Sequence, residues 1–224
     1  NIGVFSLNVN KTIQSGEGGV CVTNDKDLHY RLALIRNHGE AVVEAAEYDD
    51  IINIAGFNYR MTELQAAVCR VQLGKLDGLN AARLKLVKQL NNGLRVFDFL
   101  VVPEEKYDCE STYYVYPLKF LSEIAGIKRE QFVEAVNAEG INFFQGYVKP
   151  LYTQPVYQKR SLFKNGYPFS AIENKSCRME YNIGICPNAE KLYFDQMIIN
   201  EHIRLPNTEE DVRDIINAIH KIVT

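Results

Sequence analysis

The sequence has no run of about 18 apolar residues. Charged or amide side chains interrupt its longest hydrophobic segments, which excludes a spanning helix. It has no CxxC pair, and its five cysteines (Cys21, Cys69, Cys109, Cys177, Cys186) form an odd set, mostly in apolar surroundings such as Gly-Val-Cys-Val and Ala-Val-Cys-Arg. That pattern fits reduced, buried thiols in a cytoplasmic protein better than a disulfide framework. It has no dense basic run: 25 Lys+Arg face 28 Asp+Glu, for a formal net charge of -3, which argues against nucleic acid as a partner. It has no Gly-x-Ser-x-Gly elbow. Its four histidines, His29, His38, His202 and His220, show neither i, i+4 pairing nor finger spacing, so no structural metal is expected. The first residues, Asn1 to Asn8, carry neither a basic n-region nor a long apolar stretch, so they do not read as a signal peptide.

What is present is an ordinary globular composition, 224 residues with 46% hydrophobic, 24% charged and 11% aromatic content, enough to bury a core. Residues 1 to 8 read as a strand entered in mid-fold, so the chain is expected to be a piece of a longer one. A glycine loop and a second strand, Val20 to Thr23, follow. A helix capped by Asn24 or Asp25 is predicted through about Asn37, with Leu28, Leu32, Leu34 and Ile35 on one face and Gly39 as its stop. Residues 40 to 57 read as irregular. Thr62-x-x-Gln65 has capping-box form, and Leu64, Ala67, Val68, Val71 and Leu76 predict a core-facing stripe. A second helix is expected from Leu79 to about Leu94, joined near Asp77-Gly78, with Gly93 weakening its end.

Beyond it the pattern changes. Strands are predicted at Leu100 to Val102 and within Tyr113 to Phe120, a helix from about Lys128 to Glu139, and a strand at Ile141 to Phe144. Residues 146 to 190 are loop-rich and hold four of the seven prolines. Thr208 opens a last helix with Val212, Ile215, Ile216, Ile219 and Val223 on its apolar face. A boundary near residues 95 to 105 therefore separates a helix-rich α/β domain, residues 1 to 98, from a smaller α+β domain, residues 99 to 224. The first has too few strands to form a covered parallel sheet by itself.

Lys11 is the residue whose chemistry stands out. It follows a strand and precedes Gly16-Glu17-Gly18-Gly19, where backbone can pass close to a small molecule. A lysine amine is the side chain of Schiff-base chemistry, although a solvated turn lysine explains the spacing as well. The glycine run lacks both the Gly-Lys-Ser/Thr ending of a P-loop and a dinucleotide-binding context, so a sharp turn between strands is the simpler reading. Asn10-Lys11-Thr12 and Asn174-Lys175-Ser176 match glycan acceptors, but nothing else points to secretion.

Three blocks in series carry a resemblance. They are Phe5-Ser6-x4-Lys11-Thr12-Ile13-x2-Gly16-Glu17-Gly18-Gly19-x3-Thr23-Asn24-Asp25, then Arg36-Asn37-His38-Gly39, then Gly56-x-Asn58-Tyr59-Arg60-Met61-Thr62-Glu63-x-Gln65-Ala66-Ala67. With Pro150-Leu151-Tyr152 and Cys186-Pro187-x-Ala189-Glu190, they make the chain resemble the DegT/DnrJ/EryC1/StrS family of pyridoxal-phosphate-dependent nucleotide-sugar aminotransferases along its whole length.

The resemblance implies an α/β fold, the C-terminal part of a fold-type I transferase. Residues 1 to 98 would then be the end of the large cofactor-binding domain and residues 99 to 224 the small domain. It implies that Lys11 holds pyridoxal phosphate covalently and moves the substrate proton, and that Ser6 contacts the phosphate. Asn58 is implied to reach the cofactor phosphate of a neighbouring subunit, so the active unit is at least a homodimer. Arg60 becomes a candidate for phosphate or diphosphate oxygens; Tyr59, His38 and Tyr147 are weaker substrate-side candidates. The implied reaction moves an amino group, usually from glutamate, to a nucleotide-linked keto sugar in amino-deoxysugar, polysaccharide or antibiotic-sugar biosynthesis, in the cytoplasm, with no metal, membrane or nucleic acid involved. The family's acidic partner of the pyridine nitrogen and its ring-stacking residue match nothing in this sequence, so the chain alone is expected to bind cofactor poorly. A truncated non-catalytic or regulatory relative is the competing reading. A sugar dehydratase ranks behind it, because such relatives carry histidine where Lys11 stands.

Overall fold

In the computed structural model, which describes residues 1–39, 55–177 and 179–223, the β-branched runs on either side of the glycine loop pair as an antiparallel hairpin. β1 (Gly3–Ser6) lies against β2 (Gly19–Val22), with Gly3 opposite Val22 and Ser6 opposite Gly19. The described residues form two compact units, Asn1–Asn80 and Ala81–Thr224.

The first unit continues into α1 (Lys26–Arg36), which starts as predicted: the Asp25 carboxylate accepts from the Leu28 amide at 3.1 Å. Acidic Asp27 in the first turn and Arg36 in the last complement the helix dipole. The amide of Gly39 closes the helix by donating to the Leu34 carbonyl at 2.8 Å. The stretch expected to be irregular, residues 40 to 57, lies outside the described residues as far as residue 54.

α2 (Glu63–Leu73) begins with the predicted capping box between Thr62 and Gln65. Its apolar stripe, however, does not face a core. The helix buries no residue; Leu64 is 82% exposed, and Val68 and Val71 are exposed as well. Periodicity identified an apolar face correctly but says nothing about what lies against it, and among the described residues of this unit no element covers it. Among the described residues of the unit only Leu7, Ala33 and Leu34 are buried hydrophobics. The same lack of cover corrects the expectation of buried thiols. Cys21 on β2 is exposed and Cys69 on α2 is half-buried, while Cys109, Cys177 and Cys186 are exposed; all five are free.

α3 (Leu76–Leu94) begins earlier than the sequence suggested. Gly74 caps α2, and Asp77 and Gly78 lie inside the first turn of α3 instead of forming the joint. The two compact units divide at 80/81, within this helix. Leu86, Val87, Leu90 and Leu94 on its later turns belong to the hydrophobic core of the second unit.

That core is organised by a four-stranded antiparallel sheet of order β3–β4–β6–β5. β3 (Leu100–Val101) and β4 (Tyr116–Phe120) agree with the sequence reading. After α4 (Ser122–Ala125) and α5 (Arg129–Ala138), β5 (Phe144–Gln145) starts only where the predicted strand was to end. α6 (Pro155–Gln158) and α7 (Pro187–Lys191) punctuate the proline-rich stretch. The inner strand β6 (Met197–Asn200) was not read from sequence: Met-Ile-Ile-Asn is too short to show alternation. It runs beside β4 with Tyr116 opposite Asn200. α8 (Glu209–Val223) buries Val212, Ile215 and Ile219 as predicted. Phe120 and Phe132 stack at 4.8 Å at the centre. The Tyr116 hydroxyl donates to Asn91 Oδ1 at 2.6 Å, and burial pushes its pKa above the ordinary tyrosine value.

Two polar devices hold the irregular part of this unit. Arg129, 6% exposed, donates to the carbonyls of Tyr193, Phe194 and Met197, satisfying the single π turn Leu192–Gln196 that leads into β6. The buried Glu190 carboxylate accepts from the Tyr152 hydroxyl, from the Gly184 amide at 2.8 and 2.9 Å, and from the Cys186 amide at 3.4 Å. It thereby closes the base of the excursion between residues 152 and 184. The Tyr152 hydrogen bond and the two backbone amides hold the Glu190 pKa below the ordinary glutamate value. Desolvation, together with its bond to Glu190, pushes the Tyr152 pKa up to about 12.

Gly93, read from sequence as a weak point of the helix, has a packing role: a Cβ there would sit 2.2 Å from Ile216 Cδ1 of α8. Gly93→Ala should therefore forfeit the ~1 kcal/mol helix gain of a normal Gly→Ala change and destabilise by about 1–3 kcal/mol through overpacking. Urea denaturation checks this, and a stabilised variant would contradict it. Because the folded-state pKa of Glu190 is lowered, its contribution is present above the unfolded glutamate pKa and is lost as pH falls through the folded value. Protection of the Gly184 and Cys186 amides from hydrogen exchange, taken relative to the intrinsic rate of an unstructured amide at the same pH, should be high at neutral pH and fall on acidification. In Glu190→Ala it should be low at both, and high protection in that variant would refute the closing role.

Candidate functional site

Every candidate site residue except Tyr147 lies in the first unit, where loop geometry gathers them into two groups. The first group surrounds Lys11. The chain leaves β1 into a turn in which the Lys11 amide donates to the Asn8 carbonyl at 2.9 Å. Asn8 organises this turn: its amide donates to Ser6 Oγ at 3.3 Å, its Oδ1 accepts from the Asn10 amide at 3.1 Å, and its Nδ2 donates to Glu17 Oε1 at 2.8 Å. An asparagine side chain of this kind mimics a backbone turn and explains why the chain reverses here. Two further bonds close the loop, Leu7 N–H to the Gly18 carbonyl at 2.9 Å and Ser15 N–H to the Leu7 carbonyl at 3.1 Å. Lys11 is half-buried and Ser6 is exposed at the end of β1.

The second group lies where residues 57–60 run alongside the end of α1. Asn37 and Asn58 form an isolated antiparallel bridge. Flanking it, His38 N–H donates to the Phe57 carbonyl at 3.0 Å, Phe57 N–H to Ile35 at 2.7 Å, and Tyr59 N–H to Arg36 at 2.9 Å. The approach is so close that a Cβ on Gly56 would lie 2.0 Å from the Gly39 nitrogen, which only glycine allows. Arg60 Nε donates to Asn58 Oδ1 at 3.0 Å, and the Phe57 and Tyr59 rings stack at 5.0 Å. His38, Asn58, Tyr59 and Arg60 are all exposed. Tyr147 belongs to the second unit, where it is exposed and its hydroxyl shares a hydrogen bond with that of Tyr114.

The two groups are joined directly. Gln65 Nε2 donates to the Glu17 carbonyl at 3.0 Å, and the methyl of Met61 lies 2.8 Å from where a Cβ on Gly18 would be. All three sequence blocks thus meet within one unit. Sequence reasoning singled out the ends of this arrangement but missed its connectors, Asn8, the Glu17 carboxylate and the second contact of Gln65. Only the Asn-x-Asn-Lys turn pattern hinted at Asn8.

The groups on offer are a primary amine, a hydroxyl, a carboxamide and a guanidinium. These suit a ligand with a carbonyl carbon at one end and phosphate oxygens at the other, which is the donor set that the aldehyde and phosphate ends of pyridoxal phosphate require. Among the described residues, no group of three or more His, Cys, Asp or Glu side chains could hold a metal ion, and no helix is long and apolar enough to cross a membrane.

Comparison with known proteins agrees with the geometry. The chain is 27% identical, over all of its length, to L-glutamine:2-deoxy-scyllo-inosose aminotransferase of Streptoalloteichus tenebrarius, of which it covers 53%. It is 32% identical over 68% of its length to GDP-perosamine synthase of Caulobacter vibrioides, covering 40% of that protein. DesV of S. venezuelae, solved in complex with a ketimine intermediate, superposes on 99% of the chain with a TM-score of 0.77 at 23% identity, and 51% of that protein is covered. The fold is therefore that of the fold-type I aminotransferases, and the chain spans about half the length of the relatives it matches. With the model of the DegT/DnrJ/EryC1/StrS aminotransferase family matching residues 1–220 on top of these likenesses, the chain belongs to that family.

Proposed function

We propose that the complete protein is a pyridoxal-phosphate-dependent aminotransferase that moves an amino group from an amino acid to a keto sugar. The observation that supports this is the hydrogen-bonded linkage of the three blocks within one unit, because it puts Lys11, Ser6 and Asn58 on one connected scaffold. When bound, the cofactor supplies an aldehyde that condenses with amines and a ring that draws electrons from the substrate carbon. Lys11 would hold that aldehyde and, once displaced by the amino donor, use its freed amine to take the proton from the substrate carbon and return it at the cofactor carbon. Ser6 would contact the phosphate. Asn58 would serve the phosphate of a neighbouring subunit's cofactor; with its Oδ1 already accepting from Arg60, its amide N–H groups are the part that can donate. Arg60 would meet diphosphate oxygens of the substrate, with Tyr59, His38 and Tyr147 on the substrate side.

The finer assignment is a nucleotide-linked keto sugar as acceptor, which the name of the perosamine synthase supports. The inosose aminotransferase takes its amino group from glutamine by name, so glutamate, our assigned donor, is to be compared directly with glutamine. We place the residue 1–98 segment in the large domain, 99–224 in the small one, and the reaction in the cytoplasm, where five free thiols are at home.

In the complete protein, Lys11→Ala should lower transamination by at least about 10²-fold, the scale of a lost general base, and should abolish borohydride trapping of pyridoxal phosphate, with the melting curve unchanged. Full activity in that variant would refute the assignment. The shared site gives a sharper expectation. Lys11→Ala and Asn58→Ala subunits, each inactive or weak alone, should recover about a quarter of wild-type activity when mixed and reassociated, since half of the dimers would then carry one intact site. No recovery would exclude the cross-subunit role of Asn58.

A further inference from the structure

We propose that Gln65 is a positioning residue for Lys11: its side-chain amide ties the segment carrying Asn58 and Arg60 to the loop that presents the lysine. The proposal rests on the reading of Lys11 given above. The two ends of the Gln65 side chain do different things. Its Oε1 accepts from the Thr62 amide at 3.1 Å and from the Thr62 hydroxyl at 3.0 Å, which completes the helix cap. That task needs only an acceptor, and a glutamate would perform it equally well at the third position of a helix, where negative charge is favoured. Its Nε2 donates to the Glu17 carbonyl at 3.0 Å, 48 positions away in sequence. Capping does not call for that bond, and a carboxylate could not make it.

From Glu17 the connection continues to the lysine in two further bonds. The Glu17 carboxylate accepts from Asn8 Nδ2 at 2.8 Å, and the Asn8 carbonyl accepts from the Lys11 amide at 2.9 Å. Asn8 also holds Asn10, the residue immediately before Lys11, through its Oδ1 at 3.1 Å. The Met61 methyl against Gly18 adds a second point of contact between the segments. Each of these bonds is solvent-exposed, and an exposed hydrogen bond contributes little net stability. Their common effect is geometric: they fix where the turn that presents Lys11 stands on the start of α2, and small displacements of a reacting group are costly to chemistry.

Gln65→Glu in the complete protein separates the two tasks, because it keeps the cap and removes the tether. The apo protein should melt within about 2 °C of wild type. The pyridoxal phosphate dissociation constant, read by absorbance titration, should rise about tenfold, on the scale of one lost positioning hydrogen bond. The pH at which the bound cofactor changes its absorption should shift, and borohydride trapping at Lys11 should slow. Gln65→Ala should show the same cofactor defects together with a lower melting temperature. Asn8→Ala, which cuts the next bond without touching the cap, should reproduce the Gln65→Glu defect, and the double variant should be no worse than either single one. Wild-type cofactor titration and trapping in both Gln65→Glu and Asn8→Ala would overturn the tether. Failure of the wild-type protein itself to be trapped at Lys11 would instead overturn the reading of Lys11 on which the tether rests.

Discussion

The carbonyl oxygen of Glu17 is where the parts of the first unit meet, accepting from Gln65 Nε2 on one side and from Ser15 Oγ on the other. It joins the lysine turn to the asparagine segment by a direct hydrogen bond, beside the contact of the Met61 methyl with Gly18. With it, a turn organised by Asn8 and a helix start organised by Thr62 become one hydrogen-bonded body. Exposed hydrogen bonds of this kind can hold a turn in one place while adding little stability.

The two units contrast in how they are held. The second has one contiguous hydrophobic core, with Phe120, Phe132, Tyr116 and Ile219 all but inaccessible to solvent. The first buries few apolar side chains among its described residues and presents β-strand and helix surfaces rich in exposed valine, leucine and phenylalanine. Polar connections therefore carry proportionally more of its internal order. Where the second unit departs from regular elements it also turns to polar groups. A buried arginine satisfies the carbonyls of a π turn, and a buried glutamate gathers two backbone amides and a tyrosine hydroxyl at the base of a long excursion.

Much of this was legible in the amino acids. Asp25, the Thr62–Gln65 box and the Val212–Ile215–Ile219 stripe act locally, within one helical turn or along one helix face, and local chemistry is what sequence spacing reports. Lys11, Ser6 and Asn58 could be named because their residue types and intervals recur in a family. β6 escaped because four residues are too few to display alternation, and Gly93 was misread because the side chain that crowds it, Ile216, lies far away in sequence. The helix joint was placed too late because Asp77-Gly78 looks like a break, whereas the first turn of a helix tolerates such residues.

The sequence by itself determined most of the helices and strands, the capped starts of α1 and α2, and the residue types on which the proposed chemistry draws. Those properties reside in single residues and their near neighbours. Only the tertiary structure decided that the α2 stripe faces solvent, that α3 lends its later turns to the second core, and that Gln65 reaches Glu17 while it caps its own helix. Each of these depends on which distant surface comes within a hydrogen bond or a van der Waals contact. Spacing along the chain does not encode that, because a hydrogen-bond donor or an apolar face has the same local pattern whatever partner folding brings to it.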